Sequence, residues 1–356
     1  MDNFKTCINL MNKFTAIDLF CGAGGLTTGL KQAGFQVIAG VELNPIAAET
    51  YQLNHGEHKL YNCDIKQLDP YLVMKDLSIR PGDLDLLAGC PPCQGFSTLR
   101  TRNQSSSVND DRNDLVFDFL RFVSAMHPKT IMMENVPGLA KDPRIQAVLE
   151  ELIKLGYSVN ENTIQVKNAS DYGVPQRRKR MILQTSRFGE IGEPTRSEKI
   201  TTVYDAIGKL PKAGTSDDEL HDYPENRTSK TRALIEKIPL DGGSRRDLPK
   251  EFWLPCHIKS PHSYIDVYGR MSWNNVAPTI TGGCTNPSKG RFLHPSEHRA
   301  ITLREAALLQ SFPPDYKFSL KRGKDVASLM IGNALPPEFI KRHAISFTNH
   351  LNTIKE

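Results

Sequence analysis

With 356 residues, 39% of them hydrophobic and 24% charged, the chain can build one large domain or two ordinary ones, which excludes global disorder. No run of about 18 apolar residues exists to span a membrane, and MDNFKTCINLMNKFTAIDLF lacks the apolar core and cleavage site of a secretory leader. The seven cysteines (Cys7, Cys21, Cys63, Cys90, Cys93, Cys256 and Cys284) are odd in number and scattered, which argues against a disulfide framework and for a reducing cytoplasm.

Residues 1–10 read as an extension ahead of the fold. FTAIDLF (14–20) predicts a buried strand, LTTGLKQAG (26–34) a helix ending at Gly34, and QVIAGVE (36–42) a second strand. Asn44 and Pro45 form the cap and first position of a helix running to about Leu53. LDLLAG (84–89) and TIMMEN (130–135) predict strands, and residues 114–126 and 143–155 predict helices. TIQVK and RMILQTS close the series as neighbouring strands. This alternation predicts an α/β fold with a mostly parallel, doubly wound sheet. After residue 188 the texture turns loop-rich, with helical patterning again at 302–312 and 336–351. The expected organisation is a first domain over 1–188, a smaller module over 189–324, and a final helical segment, 325–356, returning to the first domain.

Net charge is +5, so a polyanionic partner requires clustered cations, as in QRRKR (176–180) and KRGK (321–324). Either run alone reads equally well as a solvated face.

The first strand runs into D-L-F-C-G-A-G-G-L, residues 18–26, and then a helix. Gly22, Gly24 and Gly25 permit close backbone approach to a ligand, and the helix N-terminus favours negative charge. Glu42 ends the second strand, where an acid can accept both ribose hydroxyls, and Asp64 and Ile65 follow the expected third strand in YNCDI. A carboxylate at Asp64 could accept from the amine of adenine. The dinucleotide fingerprint is incomplete, which favours an adenosine cofactor without phosphates, S-adenosylmethionine, over a nicotinamide dinucleotide.

Residues 86–97, LLAGCPPCQGFS, pose a sharper question. A zinc site would need a second cysteine pair, which is missing, and a redox pair would open a helix, for which Gln94-Gly95-Phe96 is poorly suited. Cys90 ends its strand and reads as a buried thiol. Two prolines fix the backbone into Cys93 at the carboxyl end of a parallel strand, where such sheets place their ligands, so Cys93 has the position of a nucleophile.

The ordered set DLFCGAGG, PPCQGFS, ENV, QRRKR, LREAALLQSFP and GNALPP resembles the cytosine-5 DNA methyltransferase family from Phe14 to the last helix. The resemblance implies that Cys93 attacks carbon 6 of cytosine and that carbon 5 then takes the methyl group of S-adenosylmethionine. It implies that Glu134 contacts ring nitrogen 3 and the amine, a role that requires a raised pKa. Asn135 would hold that loop, Arg180 would contact the base oxygen, and Arg178 would order the catalytic loop or a phosphate. Asp18, Phe20 and Asn333 join the cofactor set, with Phe20 packing on the adenine. Ala334 stands where the family often has serine. Ser97, Gln176, Arg270, Gly282 and Gly283 are the expected DNA contacts.

The polar segment 98–112 would be a lid over a flipped-out cytosine. GRMSWNNVAPTITGGCTNPSKGRF (269–292) would lie at the DNA, in the target-recognition module. The expected partner is double-stranded DNA, with no membrane and no metal. The chain would act as a cytoplasmic monomer, paired in function with a restriction endonuclease of the same sequence but in no stable complex with it. Two alternatives are a tRNA cytosine-5 methyltransferase, whose relatives' Cys-Phe-Thr tripeptide is absent, and a catalytically silent DNA-binding protein.

Overall fold

The computed structural model describes residues 14–92, 114–259 and 261–355. Apolar runs bounded by glycine, proline and polar residues become seven strands: β1 (Thr15–Leu19), β2 (Gln36–Val41), β3 (Lys59–Tyr61), β4 (Leu86–Gly89), β5 (Thr130–Asn135), β6 (Ile164–Asn168) and β7 (Lys179–Ser186). They form one sheet in the order β3-β2-β1-β4-β5-β7-β6. The pairings from β3 to β5 are parallel, and β7 runs antiparallel to both β5 and β6. The strand order reverses between β1 and β4, and ligands of open α/β sheets bind at the carboxyl ends beside such a point.

The helices of the first half are α1 (Gly25–Gln32), α2 (Pro45–His55), α3 (Pro70–Leu77), α4 (Leu115–Met126) and α5 (Pro143–Lys154). The expected α2 cap is present: Asn44 Oδ1 accepts from the Ile46 N–H at 2.9 Å, with Pro45 at the first helical position. Helix α3, capped by Asp69 ahead of Pro70, escaped the sequence reading. One face of the sheet packs on α4 and α5 through Phe119, Phe122, Val123, Ile145 and Val148.

Five further helices follow: α6 (Val203–Ile207), α7 (Ser229–Lys237), α8 (Pro255–Lys259), α9 (Leu303–Leu309) and α10 (Lys324–Asn333), and α11 (Pro337–Lys355) ends the series. Phe339, Ile340, Ala344 and Phe347 of α11 lie on the opposite face of the sheet with Leu26 and Leu30 of α1. A second core joins residues from 203 to 331 to Ala23 and Ala47 of the first half. A smaller apolar cluster gathers Leu234, Ile235, Ile238, Leu248 and Leu293.

Candidate active site

The turn after β1 is built from backbone conformations that few side chains tolerate. Phe20 has φ 62°, Gly22 55° and Gly24 89°, so the chain doubles back before α1 begins. A Cβ on Gly22 would meet nothing within 4 Å, whereas one on Gly25 would lie 2.3 Å from the Leu335 carbonyl oxygen. Gly22 thus faces open space above the turn, and Gly25 is required for packing beneath it. Asp18 is fully buried, and its Oδ2 accepts from the Thr27 N–H at 3.1 Å and the Thr27 hydroxyl at 2.7 Å. Its Oδ1 has no hydrogen-bond partner among the described residues, and burial raises its pKa to about 7.

Glu42 closes one wall. Its Oε2 accepts from the Gly22 N–H at 2.8 Å and its Oε1 from the Asn44 N–H at 2.7 Å, which fixes the carboxylate over the glycine turn. Burial raises its pKa against those hydrogen bonds. Asp64 and Ile65 stand just past β3, and Asp64 Oδ1 accepts from the Lys66 N–H at 3.0 Å. Arg121 of α4 donates to the Ile65 and Leu68 carbonyls at 2.5 and 2.9 Å, clamping this turn. The sequence reading missed Arg121 because nothing in a helical pattern distinguishes an arginine that reaches back to a loop. Asn333 is exposed at the end of α10.

This group fits an adenosine cofactor. The open space over Gly22, the oriented Glu42 carboxylate and the half-buried Phe20 ring supply polar and apolar walls at one strand-end crevice, with Asp18 buried beneath the turn.

A second constellation lies at the ends of β4, β5 and β7. Glu134 is buried, and the Arg180 guanidinium pairs with it, Nε standing 2.7 Å from its Oε1. The Cys90 thiol hydrogen-bonds the same carboxyl group, and burial pushes that thiol well above its ordinary range. Desolvation also raises the Glu134 pKa, over the opposing effects of Arg180 and Arg178. Asn135 Nδ2 donates to the Pro91 carbonyl at 2.9 Å, tying the end of β5 to the two prolines ahead of position 93. Cys93 and Ser97, like the 98–112 segment, lie outside the described residues.

Three expected DNA or catalytic contacts occupy different places. Gln176 is fully buried, donates to the Leu309 carbonyl and Gln310 Oε1 at 3.1 and 2.6 Å, and accepts from the Ile280 N–H at 2.9 Å. Arg178 is buried and donates to the Ile280 and Gly332 carbonyls at 3.0 and 3.1 Å. Both hold the 278–283 segment against the sheet rather than reaching for a phosphate. Arg270 is the clearest correction. Its fully buried guanidinium donates to the carbonyls of Ile235, Ile238, His294 and Glu297 at 2.5–3.1 Å, which leaves it no donor geometry for a groove.

Gly282 and Gly283 pack on the Leu329 and Lys289 side chains. The close approach behind them belongs to Gly332, where a Cβ would fall 2.0 Å from the Thr281 carbonyl carbon.

A strand-end crevice on a mostly parallel sheet, beside the Glu134–Arg180–Cys90 group, fits a Rossmann-like methyltransferase. A family profile for C-5 cytosine-specific DNA methylases matches residues 14–348, and the chain belongs to that family. It is 36% identical over 339 residues to the Type II methylase M.HgiDII of Herpetosiphon aurantiacus, covering 90% of this chain and 91% of that one. The Type II methyltransferase M1.HphI of Haemophilus parahaemolyticus is 34% identical, over 91% of this chain and 83% of that one. Among solved structures, a prophage-encoded E. coli protein described as a DNA modification methyltransferase superposes with TM-score 0.68 at 25% identity, over 95% of this chain and 99% of that one. The activity that family and relatives support is DNA cytosine-5 methylation. No helix of the described residues is long and apolar enough to cross a membrane.

Proposed function

We propose that the chain methylates one cytosine of a short sequence in double-stranded DNA, using S-adenosylmethionine seated between the glycine turn, Glu42 and Asp64. The cofactor supplies an electrophilic methyl group. Phe20 and Ile65 present apolar surface to its adenine, and Glu42 can accept from its ribose hydroxyls through lone pairs not used by Gly22 and Asn44. Asp18, Gly24, Gly25 and Asn333 complete the seat.

The observation that carries the reading is the buried Glu134 carboxyl group at the carboxyl end of β5, paired with Arg180 at 2.7 Å. A flipped cytosine offers an amine and ring nitrogen 3 to such a group, and its carbonyl oxygen to the guanidinium. A protonated Glu134 withdraws electron density from the ring, which makes carbon 6 electrophilic. Cys93, two residues beyond Pro91, is the thiolate assigned to that carbon. Carbon 5, made nucleophilic, would take the methyl group as its bond to the cofactor sulfur breaks and the neutral thioether leaves; transfer of the carbon-5 proton to water would then expel the Cys93 thiolate and restore the ring. The thiol of Cys90, held above its ordinary range, serves as a hydrogen-bond donor to Glu134 rather than as the nucleophile.

Residues 189–324 act as the target-recognition domain and the rest as the catalytic domain, so α10 opens at the boundary. The lid is assigned to 98–112. In this reading the protein works as a cytoplasmic monomer that protects DNA from an endonuclease reading the same sequence; support for the modification role is that its relatives are named Type II methylases.

Methyl transfer from S-adenosylmethionine to unmethylated duplex DNA and to tRNA, run in parallel with bisulfite sequencing, tests this reading. Methylated cytosines at one recurring DNA sequence are expected. Signal on tRNA alone, or on neither substrate, overturns it.

A further inference from the structure

We propose that Tyr316 and His55 are positioning residues that brace the glycine turn from below, so that cofactor affinity depends on a phenol supplied by the segment after α9. The inference rests on the reading that this turn seats S-adenosylmethionine.

The turn presents two carbonyls inward, and each is met by a hydroxyl. The Tyr316 phenol donates to the Ala23 carbonyl at 2.5 Å, and the Thr28 hydroxyl donates to the Gly24 carbonyl at 2.7 Å. A hydroxyl has one proton to give, so both oxygens are left only as acceptors. His55 Nε2 lies 3.1 Å from the Tyr316 oxygen and 3.3 Å from the Thr28 oxygen, and must therefore be the donor to either. That fixes the neutral imidazole with its proton on Nε2 and a bare Nδ1. Nδ1 is indeed buried with no hydrogen-bond partner among the described residues. Burial and the nearby Lys31 and His58 charges hold the His55 pKa down to about 4, so the ring stays neutral near pH 7.

The fit is tight. A Cβ on Gly24 would lie 2.5 Å from the Tyr316 oxygen and 2.7 Å from His55 ring atoms, so the bare backbone rests directly on the two rings. Helix α2 secures the brace along one side: Asn54 exchanges two 2.9 Å hydrogen bonds with the Lys317 backbone, and Thr50 Oγ1 accepts from the Ser319 N–H at 3.1 Å. Phe312 and Phe318 pack on the Tyr316 ring at centroid distances of 4.6 and 5.3 Å. His55, Glu57 and His58 also bring ligand-type atoms within 4.8 Å of one another. Lys31 Nζ, 2.5 Å from Glu57, already balances that carboxylate, so the trio reads as part of the brace rather than as a cation site.

The test measures equilibrium binding of S-adenosylmethionine, and steady-state kinetics on duplex DNA, for the full chain and for Tyr316→Phe, His55→Leu, His55→Gln, Thr28→Val and Thr28→Ser. Tyr316→Phe is expected to weaken cofactor binding about tenfold, the scale of one buried hydrogen bond. Its kcat at saturating cofactor and its KM for DNA should stay within about threefold of the parent. His55→Gln, whose amide can place a donor near Nε2, and Thr28→Ser should retain more affinity than His55→Leu and Thr28→Val. Folded variants with parental cofactor affinity overturn the brace, and so do variants whose kcat and DNA KM worsen in step with cofactor binding. If Tyr316→Phe does not fold, the His55 and Thr28 pairs carry the same comparison. A parent protein that binds no S-adenosylmethionine overturns instead the reading of the turn as its seat.

Discussion

Arg180 Nε stands 2.7 Å from Glu134 Oε1, yet burial still raises the carboxyl pKa. The two effects oppose each other: desolvation favours the neutral acid, and the guanidinium favours the carboxylate. A group whose pKa is raised in this way holds its proton to higher pH than a free carboxyl and can donate when a base presents a lone pair.

Glu134→Gln is expected to lower kcat by about 10²- to 10⁴-fold, the range for loss of a positioned general acid. The sign of the pH effect follows from the raised pKa. The protonated acid is lost as pH rises through that pKa, so the parent enzyme has an alkaline limb that Glu134→Gln lacks. Arg180→Ala removes the cation that lowers the Glu134 pKa, so its residual activity should lose that limb at higher pH than the parent. Profiles of kcat between about pH 6 and 9.5 measure both. An Arg180→Ala limb that stays put or moves down would falsify the pairing.

The cysteine pair divides by environment. Cys93→Ala should abolish methyl transfer while leaving duplex binding intact. Cys90→Ala removes only a hydrogen bond to Glu134 and should keep activity within about tenfold, the value of one such bond. Transfer assays beside gel-shift binding separate the two. A dead but folded Cys90→Ala protein would reopen the division of roles between Cys90 and Cys93.

Much of this site could be read from the chain because its chemistry sits at strand ends. Strands β1, β2 and β5 are apolar runs, and the residues that follow them, or close β5, fall at the carboxyl edge whatever the rest of the fold does. The antiparallel entry of β7 was not readable, since strand direction depends on which neighbour it pairs with. Burial of arginine was not readable either. In the run 176–180, Gln176 and Arg178 turn inward while Arg177 and Lys179 are exposed. Period-two spacing predicts that two faces exist but not which one meets solvent. Arg270 and Arg121 act on carbonyls from other elements, and only tertiary contacts reveal such bonds.

Arg270 therefore predicts a stability effect in place of a binding one. Arg270→Met leaves the carbonyls of Ile235, Ile238 and His294 buried without their donor. A loss of about 3–5 kcal/mol in unfolding free energy is expected, read by urea titration. Binding to duplex DNA by the remaining folded protein should keep its salt dependence. Removal of a phosphate contact would instead flatten the slope of log K against log salt by about 0.9, and that result would restore Arg270 to the DNA surface.

His343 supplies a pH test independent of the active site. It is buried on α11 between Tyr172 and Phe339, with ring centroids 4.9 and 4.3 Å away, and its Nδ1 lies 2.8 Å from the Phe339 carbonyl oxygen. Burial lowers its pKa from 6.5 to about 4. The folded state therefore resists protonation where the unfolded chain accepts it, so its contribution is intact above about pH 6.5 and is lost as pH falls toward 4. Between pH 7 and 5 that amounts to about 2 kcal/mol of stability. His343→Leu should fall less steeply than the parent over this interval, whatever its stability at pH 7. Urea titrations of both proteins at pH 7, 6 and 5 measure the difference, and parallel pH dependences would show that the folded protein accommodates the charged ring.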